Sequence, residues 1–303
     1  MNQKTIAAQL GMVLVTILWG ASYVTGKLSL EGGLTPNVYT SFRFCGAALV
    51  LALVFCKRLR KTNRQTLKSG FYIGLAVGAG YVLQTIGLTM TTAAKAGFLT
   101  GLYVVLVPLF DCLLKRILPK SNEVIGIIAA TVGLAVLSLN ADFSIGLGDI
   151  LVFISAVFFA VSIIMISRVS GEQDPIVLSI VQIAVTGAMG LTLALFTEPV
   201  PPAEIFDSSM ILLILYAIFF SSALNTTVQN IAQSMISPTA AALILVLEPV
   251  FSGIFAFLLL HEPLGAKELL GSAMIIAGML VTLLYKPKAK NAQSMKLTAV
   301  EAK

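Results

Sequence analysis

Two ionisable side chains fall inside long apolar runs, where a charge is costly and therefore marks chemistry or a fixed partner. Glu248 stands mid-way along the run 237–260, directly before Pro249. A carboxylate there can bind a substrate amine or exchange a proton; otherwise a structural partner or a backbone carbonyl must hold it. Arg43 lies about two turns into the run 36–56. Its guanidinium cannot shed its proton, so it must pair or snorkel. It can meet Glu248 across a helix bundle, meet a substrate carboxylate, or serve the structure alone.

Neutral polar and aromatic residues share these depths. Trp19, Ser22 and Tyr23 occupy one stretch, Tyr81 and Gln84 one helix face, and Thr100 and Tyr103 precede Pro108. Asn225 and Asn230 lie on a further run. Aromatics with a few amides make a small-molecule site; interfacial anchoring is the rival reading for Trp19 and Tyr103, which lie deep for it. Asp111 and Lys115, spaced i, i+4, read as a local ion pair. Lys27 and Lys95 fall near run ends and snorkel.

Other chemistry is not indicated. The one histidine, His261, has no Cys or Asp at metal-ligand spacing. Cys45, Cys56 and Cys112 all fall in apolar runs and read as small core residues. No nucleophile elbow, zinc-protease motif or phosphate loop occurs, so neither an enzyme, nor a cofactor, nor ATP-driven transport is expected.

The elements that position these residues follow from composition. The chain of 303 residues is 57% hydrophobic and 11% charged, with mean hydropathy +0.95; soluble domains carry about 25% charged residues. Apolar runs fall at 6–29, 36–56, 69–89, 92–116, 121–139, 147–168, 175–197, 209–231, 237–260 and 266–285. A helix of about 20 residues crosses a hydrocarbon core of about 30 Å. The expected class is therefore an all-α polytopic membrane protein with ten transmembrane helices. The runs are continuously apolar rather than alternating, which excludes a membrane β-barrel. Thr35-Pro36, Asp174-Pro175 and Ser237-Pro238 each set a capping residue before a first-turn proline.

Charge gives an orientation. With the N-terminus inside, the inner side receives Lys4, the basic stretch from Lys57 to Lys68, Lys115, Arg116, Lys120, Arg168 and the tail lysines. The outer side receives Lys27, Lys95 and Lys267. That bias places both termini in the cytoplasm. The net charge of +6 is then a topology signal, and the stretch 57–68 reads as a lipid-facing loop, with no nucleic-acid partner. The long first run lacks a cleavage-site pattern and reads as a retained helix. The tail 287–303 is polar and expected to be disordered.

The chain also reads twice. Ala96–Phe110 matches Ser237–Phe251 at an offset of 141, aligning Pro108 with Pro249. The same offset matches Tyr81-Val-Leu-Gln84 to Ser222-Ala-Leu-Asn225; upstream, an offset of 139 matches Arg43 to Gln182. Each half closes with Gly-x6-Gly, Gly126 and Gly133 against Gly271 and Gly278. Five runs per half invert the second half relative to the first, so 6–139 and 147–286 form two inverted five-helix repeats. Such halves can rock about a shared site, and Pro108 and Pro249 are placed to act as gating hinges. Gly74, Gly78, Gly97, Gly101, Gly187 and Gly190 read as close helix contacts.

These residues together resemble the EamA family of the drug/metabolite transporter superfamily. The cues are Leu18-Trp19-Gly20-Ala21-Ser22, Arg43-Phe44, Leu247-Glu248-Pro249-Val250-Phe251 and Gly271-x6-Gly278, over about residues 8–286. The resemblance implies an inner-membrane carrier with a central cavity, handling metabolites such as amino acids, often outward. Its partners would be a small-molecule substrate, the lipid bilayer and, for a coupled carrier, a proton. A multidrug or lipid-precursor exporter and a non-transporting receptor are the alternatives. The acidic turn before the last helix of a repeat is present as His261-Glu262-Pro263, whereas the first half has Ile117-Leu118-Pro119.

Overall fold

The computed structural model describes residues 3–91, 96, 99–138, 145–169, 171–260 and 265–284. Among the described residues every regular element is helical. The first half contains α1 (Gln3–Glu31), α2 (Pro36–Val54), a short α3 (Cys56–Arg60), α4 (Arg64–Leu88), α5 (Tyr103–Lys115) and α6 (Ser121–Ser138). The second contains α7 (Leu147–Val169), α8 (Pro175–Thr197), α9 (Ser208–Tyr216), α10 (Asn225–Gln233), α11 (Pro238–Leu245), α12 (Glu248–Leu260) and α13 (Ala266–Leu284). A π-helical segment, Ala217–Leu224, joins α9 to α10.

Among the described residues seven helical stretches are long and apolar enough to cross a membrane: α1, α2, α4, α7, α8, Ser208–Gln233 and Pro238–Leu259. The remaining three expected runs are shorter here. The apolar parts of α6 and α13 are Ser121–Val136 and Leu269–Leu284, and α5 has 13 residues. Residues 92–95 and 97–98 of the run 92–116 lie outside those described. The outward surface is apolar, with Leu53, Leu113, Leu195 and Phe196 all exposed, as lipid contact requires.

Local chemistry sets several helix starts. Asp174 accepts from the Ile176 amide at 2.9 Å and Ser237 from Ala240 at 3.2 Å, as their positions before proline suggest. Thr35 does not cap its own helix. Instead Glu198, just past α8, reaches across to the start of α2. Its carboxylate accepts from the Asn37 and Val38 amides at 2.9–3.1 Å, from Asn37 Nδ2 at 2.8 Å and from Thr35 Oγ1 at 2.5 Å. A full negative charge at a helix N-terminus satisfies orphan amides and meets the positive end of the dipole.

The main core forms around the matched helices. Ala241–Leu247 are all buried and pack with Tyr103, Val104 and Val107 of α5, Met12 and Val15 of α1, and Ile163 and Ile164 of α7. Apolar residues gain little from leaving lipid, so close packing must hold such a bundle, and small residues permit it. A Cβ on Gly126 would come within 2.6 Å of the Gly278 carbonyl, and one on Gly278 within 2.6 Å of the Gly126 carbonyl. A Cβ on Gly133 would come within 2.7 Å of the Gly271 carbonyl. The two Gly-x6-Gly motifs thus pack on each other, fixing α6 against α13. Gly187 sits against Cys45 and Phe44, Gly190 against Thr40 and Ser41, and Gly74 and Gly78 against α8. Gly101 packs on Leu134, and Gly97 lies outside the described residues.

The prolines interrupt their helices differently. Pro108 lies inside α5, whose regular course begins after a turn at Leu102. The run around Pro249 breaks at Val246–Leu247, immediately before Glu248, which opens α12. Cys56 corrects an expectation: it begins α3 beyond the end of α2 and is exposed rather than in the core.

Candidate functional site

Arg43 is the centre of the polar interior. It is buried, on a face of α2 turned to the π segment and α4. Its Nε donates to Ser222 Oγ at 2.7 Å and its Nη2 to the Ser221 carbonyl at 3.3 Å. The guanidinium carbon lies 4.8 Å from the Phe44 ring centroid and 5.4 Å from that of Tyr81. Cation–π contacts of this kind contribute about 0.5–2 kcal/mol, more as water is removed. Among the described residues no carboxylate stands within ion-pair distance of Arg43.

The π segment supplies both acceptors of Arg43. The Ser221 carbonyl accepts from Arg43 and also from Trp19 Nε1 at 3.1 Å. π-Helical turns widen a helix and recur at functional positions. Tyr216, one residue before the segment, donates its hydroxyl to the Leu18 carbonyl at 2.9 Å. One residue on from Trp19, Gly20 lets α12 come close: a Cβ there would meet Phe251 Cβ at 2.6 Å and the Ser252 amide at 2.8 Å. The Leu18-Trp19-Gly20 stretch therefore clasps the π segment on one side and α12 on the other.

Tyr81 extends the aromatic wall. Its ring lies 4.9 Å from Phe44 and 5.3 Å from Phe159, and it is within electrostatic reach of both Arg43 and Glu248. Glu248 is half-buried at the first turn of α12. Gln84 Nε2 donates to Thr100 Oγ1 at 3.0 Å, joining α4 to the stretch before α5. Ser22 is buried, with its carbonyl accepting from Thr25 Oγ1 at 3.2 Å, and Tyr103 is buried in the main core.

The structure thus gathers Trp19, Arg43 and Tyr81 around the π segment, with Glu248 in range of Tyr81. Gln84 and Thr100 form a separate pair. Asn225 serves α1, donating from Nδ2 to the Val15 carbonyl at 3.1 Å. Asp111 and Lys115 form the expected ion pair at 2.7 Å. The Tyr23 side chain, Lys95, His261, Glu262 and Pro263 lie outside the described residues, as does the tail 287–303.

Six residues around the site were not anticipated from the sequence: Ser221, Ser222, Tyr39, Tyr216, Gln229 and Gln233. Ser221 and Ser222 serve Arg43, and Tyr39 and Tyr216 lie within its electrostatic reach. On α10, Gln229 and Gln233 continue the face begun by Asn225, all three buried. Asn230 Nδ2 donates to Ser179 Oγ at 2.8 Å and to Gln182 Oε1 at 3.2 Å. The spacing 225, 229, 233 was a readable helical stripe. Ser221 Oγ, Asn225 Oδ1, Asn230 Oδ1 and both polar atoms of Gln233 are buried without a protein partner among the described residues. Each such atom costs about 1–3 kcal/mol unless water or a ligand satisfies it.

An apolar-surfaced helical bundle with a charged, aromatic-lined interior defines a multi-pass membrane protein. The chain belongs to the EamA-like transporter family, whose model matches residues 6–139 and again 146–284. It is 34% identical over 281 residues to an uncharacterized transporter of Archaeoglobus fulgidus, covering 93% of this chain and 87% of that protein. It is 24% identical to the uncharacterized transporter YoaV of Bacillus subtilis, covering 90% and 96%. A solved crystal structure superposes with a TM-score of 0.78 at 17% identity, covering 91% of this chain and 96% of the other, a likeness of fold. A transporter of this family sits in a lipid bilayer and acts on a small-molecule substrate.

Proposed function

We propose that the protein is a ten-helix secondary carrier that exports an amino acid or related small metabolite across the inner membrane by alternating access, with both termini cytoplasmic. The observation that carries this reading is the reciprocal packing of α6 and α13. Gly126 matches Gly271 in the repeat and Gly133 matches Gly278; Gly126 meets Gly278 and Gly133 meets Gly271. When residue i of one copy meets j of the other, and j meets i, the pair is related by a two-fold axis. Two five-helix halves, 6–139 and 147–286, related in that way supply the two near-equivalent states that alternating access needs. The shorter runs of α5, α6 and α13 cross by local thinning of the bilayer.

The substrate class follows from charge. Arg43 offers a fixed cation among aromatic rings, and Glu248 lies within electrostatic range of Tyr81. A zwitterion can place its carboxylate at Arg43 and its amine toward Glu248, with a side chain along Tyr81, Phe44 and Phe159. Proton exchange at Glu248 is the coupling step. Trp19 and Ser22 complete the proposed lining, and Pro108 and Pro249 the hinges.

The test is uptake into proteoliposomes of a labelled amino-acid panel, with and without a pH gradient. Saturable transport of one or more amino acids, lost in Arg43→Ala, is expected. Transport of bulky apolar cations alone would favour a multidrug exporter, and no transport of any solute would favour a receptor.

A further inference from the structure

Where α4 begins and α7 ends, a groove of about 250 Å³ opens between the two helices. It is lined by Lys68, Ser69, Tyr72, Ile73, Met165 and Arg168, with Val169 beside them. Lys68, Tyr72 and Arg168 are exposed, whereas Ile73 is fully buried at the base. Neither Lys68 nor Arg168 has a carboxylate partner among the described residues. On the same end Asp174 is engaged by Arg58 at 3.2 Å. Ser69 Oγ accepts from Gln173 Nε2 at 3.0 Å, which leaves its own proton to donate.

The geometry points to a binding site for one anionic phospholipid, with the headgroup phosphate between Lys68 and Arg168 and an acyl chain along Ile73, Met165 and Val169. Two cations beside an apolar wall select an amphiphile. A free anion would leave the wall wet, and a neutral lipid would gain nothing from the cations. Basic clefts between membrane helices on the cytoplasmic side hold such headgroups. The assignment of this end to the cytoplasmic leaflet rests on the orientation given under the proposed function.

The full-length protein in mixed micelles, which present every face, separates the two ideas. Native mass spectrometry with phosphatidylglycerol and phosphatidylcholine measures lipid adducts. The double variant Lys68→Gln, Arg168→Gln is expected to weaken phosphatidylglycerol binding about 25-fold, about fivefold per cation at an anionic surface. Phosphatidylcholine binding stays unchanged. The double variant Arg60→Gln, Lys61→Gln, with equal charge loss outside the groove, keeps its phosphatidylglycerol adducts. Equal losses in both variants, or retained binding in the first, would overturn the site. So would displacement of the lipid by millimolar inorganic phosphate. Because the variants could perturb folding, a photoactivatable phosphatidylglycerol is crosslinked to the unaltered protein; label on 68–73 and 165–169 is expected, and label elsewhere alone overturns the proposal. A failure of transport in proteoliposomes would leave these readouts untouched.

Discussion

Arg43 Nε donates to Ser222 Oγ at 2.7 Å, and Ser222 matches Tyr81 of the first half, whose ring lies 5.4 Å from the same guanidinium. One cation thus holds equivalent positions of both halves at once. Its own counterpart, Gln182, is neutral and accepts instead from Asn230 at 3.2 Å. The family match is doubled while the charge is single. On the proposed alternating-access reading, a central cation can stay with the substrate while either half moves.

Replacing Arg43 removes a brace and, on the proposed reading, a substrate contact. A hydrogen bond from a charged donor contributes about 1.5–3 kcal/mol, so Arg43→Ala is expected to raise the apparent Kd for an amino acid by roughly 10- to 100-fold. Ser222→Ala leaves the charge and is expected to cost about tenfold or less. Isothermal titration on purified protein reads both. Equal affinities for all three proteins would remove Arg43 from the binding site.

Glu248→Gln keeps size and hydrogen bonding but cannot carry a proton. Uptake by the unaltered protein is expected to respond to an imposed pH gradient, whereas the variant retains exchange of labelled for unlabelled substrate and loses that response. A variant that still follows the gradient would move coupling to another group.

The α6–α13 contact gives a packing test. At Gly126 an added Cβ would run into Thr282 Oγ1 and fall 2.6 Å from the Gly278 carbonyl, a backbone contact that side-chain rotation cannot relieve. Gly126→Ala is expected to destabilise by about 1–3 kcal/mol, the usual cost of overpacking. At Gly171 nothing lies within 4 Å, and Gly171→Ala is expected to leave Tm unchanged. Thermal unfolding in detergent compares the two.

The legible parts of the sequence were the ones set by local pattern. Apolar run length located the long helices, and Gly74, Gly78, Gly187 and Gly190 were legible as close contacts, whereas Gly-x6-Gly was legible only as a mark of the repeat and not as a contact. Asp111 and Lys115 paired as i, i+4 geometry requires. What stayed hidden depends on long-range packing. A serine pair after two phenylalanines carries no signal for a π segment, so the partners of Arg43 could not be read. Glu198 capping α2 from a position 161 residues away along the chain is invisible to a rule that looks one residue upstream of Pro36.

That cap is itself testable. Glu198→Gln keeps an acceptor oxygen but removes the charge from the α2 N-terminus, where five donor contacts converge on the carboxylate. Loss of a helix cap typically costs about 1 kcal/mol, and a partly buried charge at a helix end adds up to about 2 kcal/mol. A fall in Tm is therefore expected, and Glu198→Ala should fall further. Thr35→Ala, which removes one donor and leaves the amides satisfied, is expected to have the smallest effect. Because Arg43 rides on the same helix about two turns from the capped end, the Glu198 variants should also weaken substrate binding, in the same order as they lower Tm. A Tm unchanged in Glu198→Ala would show that solvent satisfies those amides equally well and that the α2 start is set by Pro36 alone.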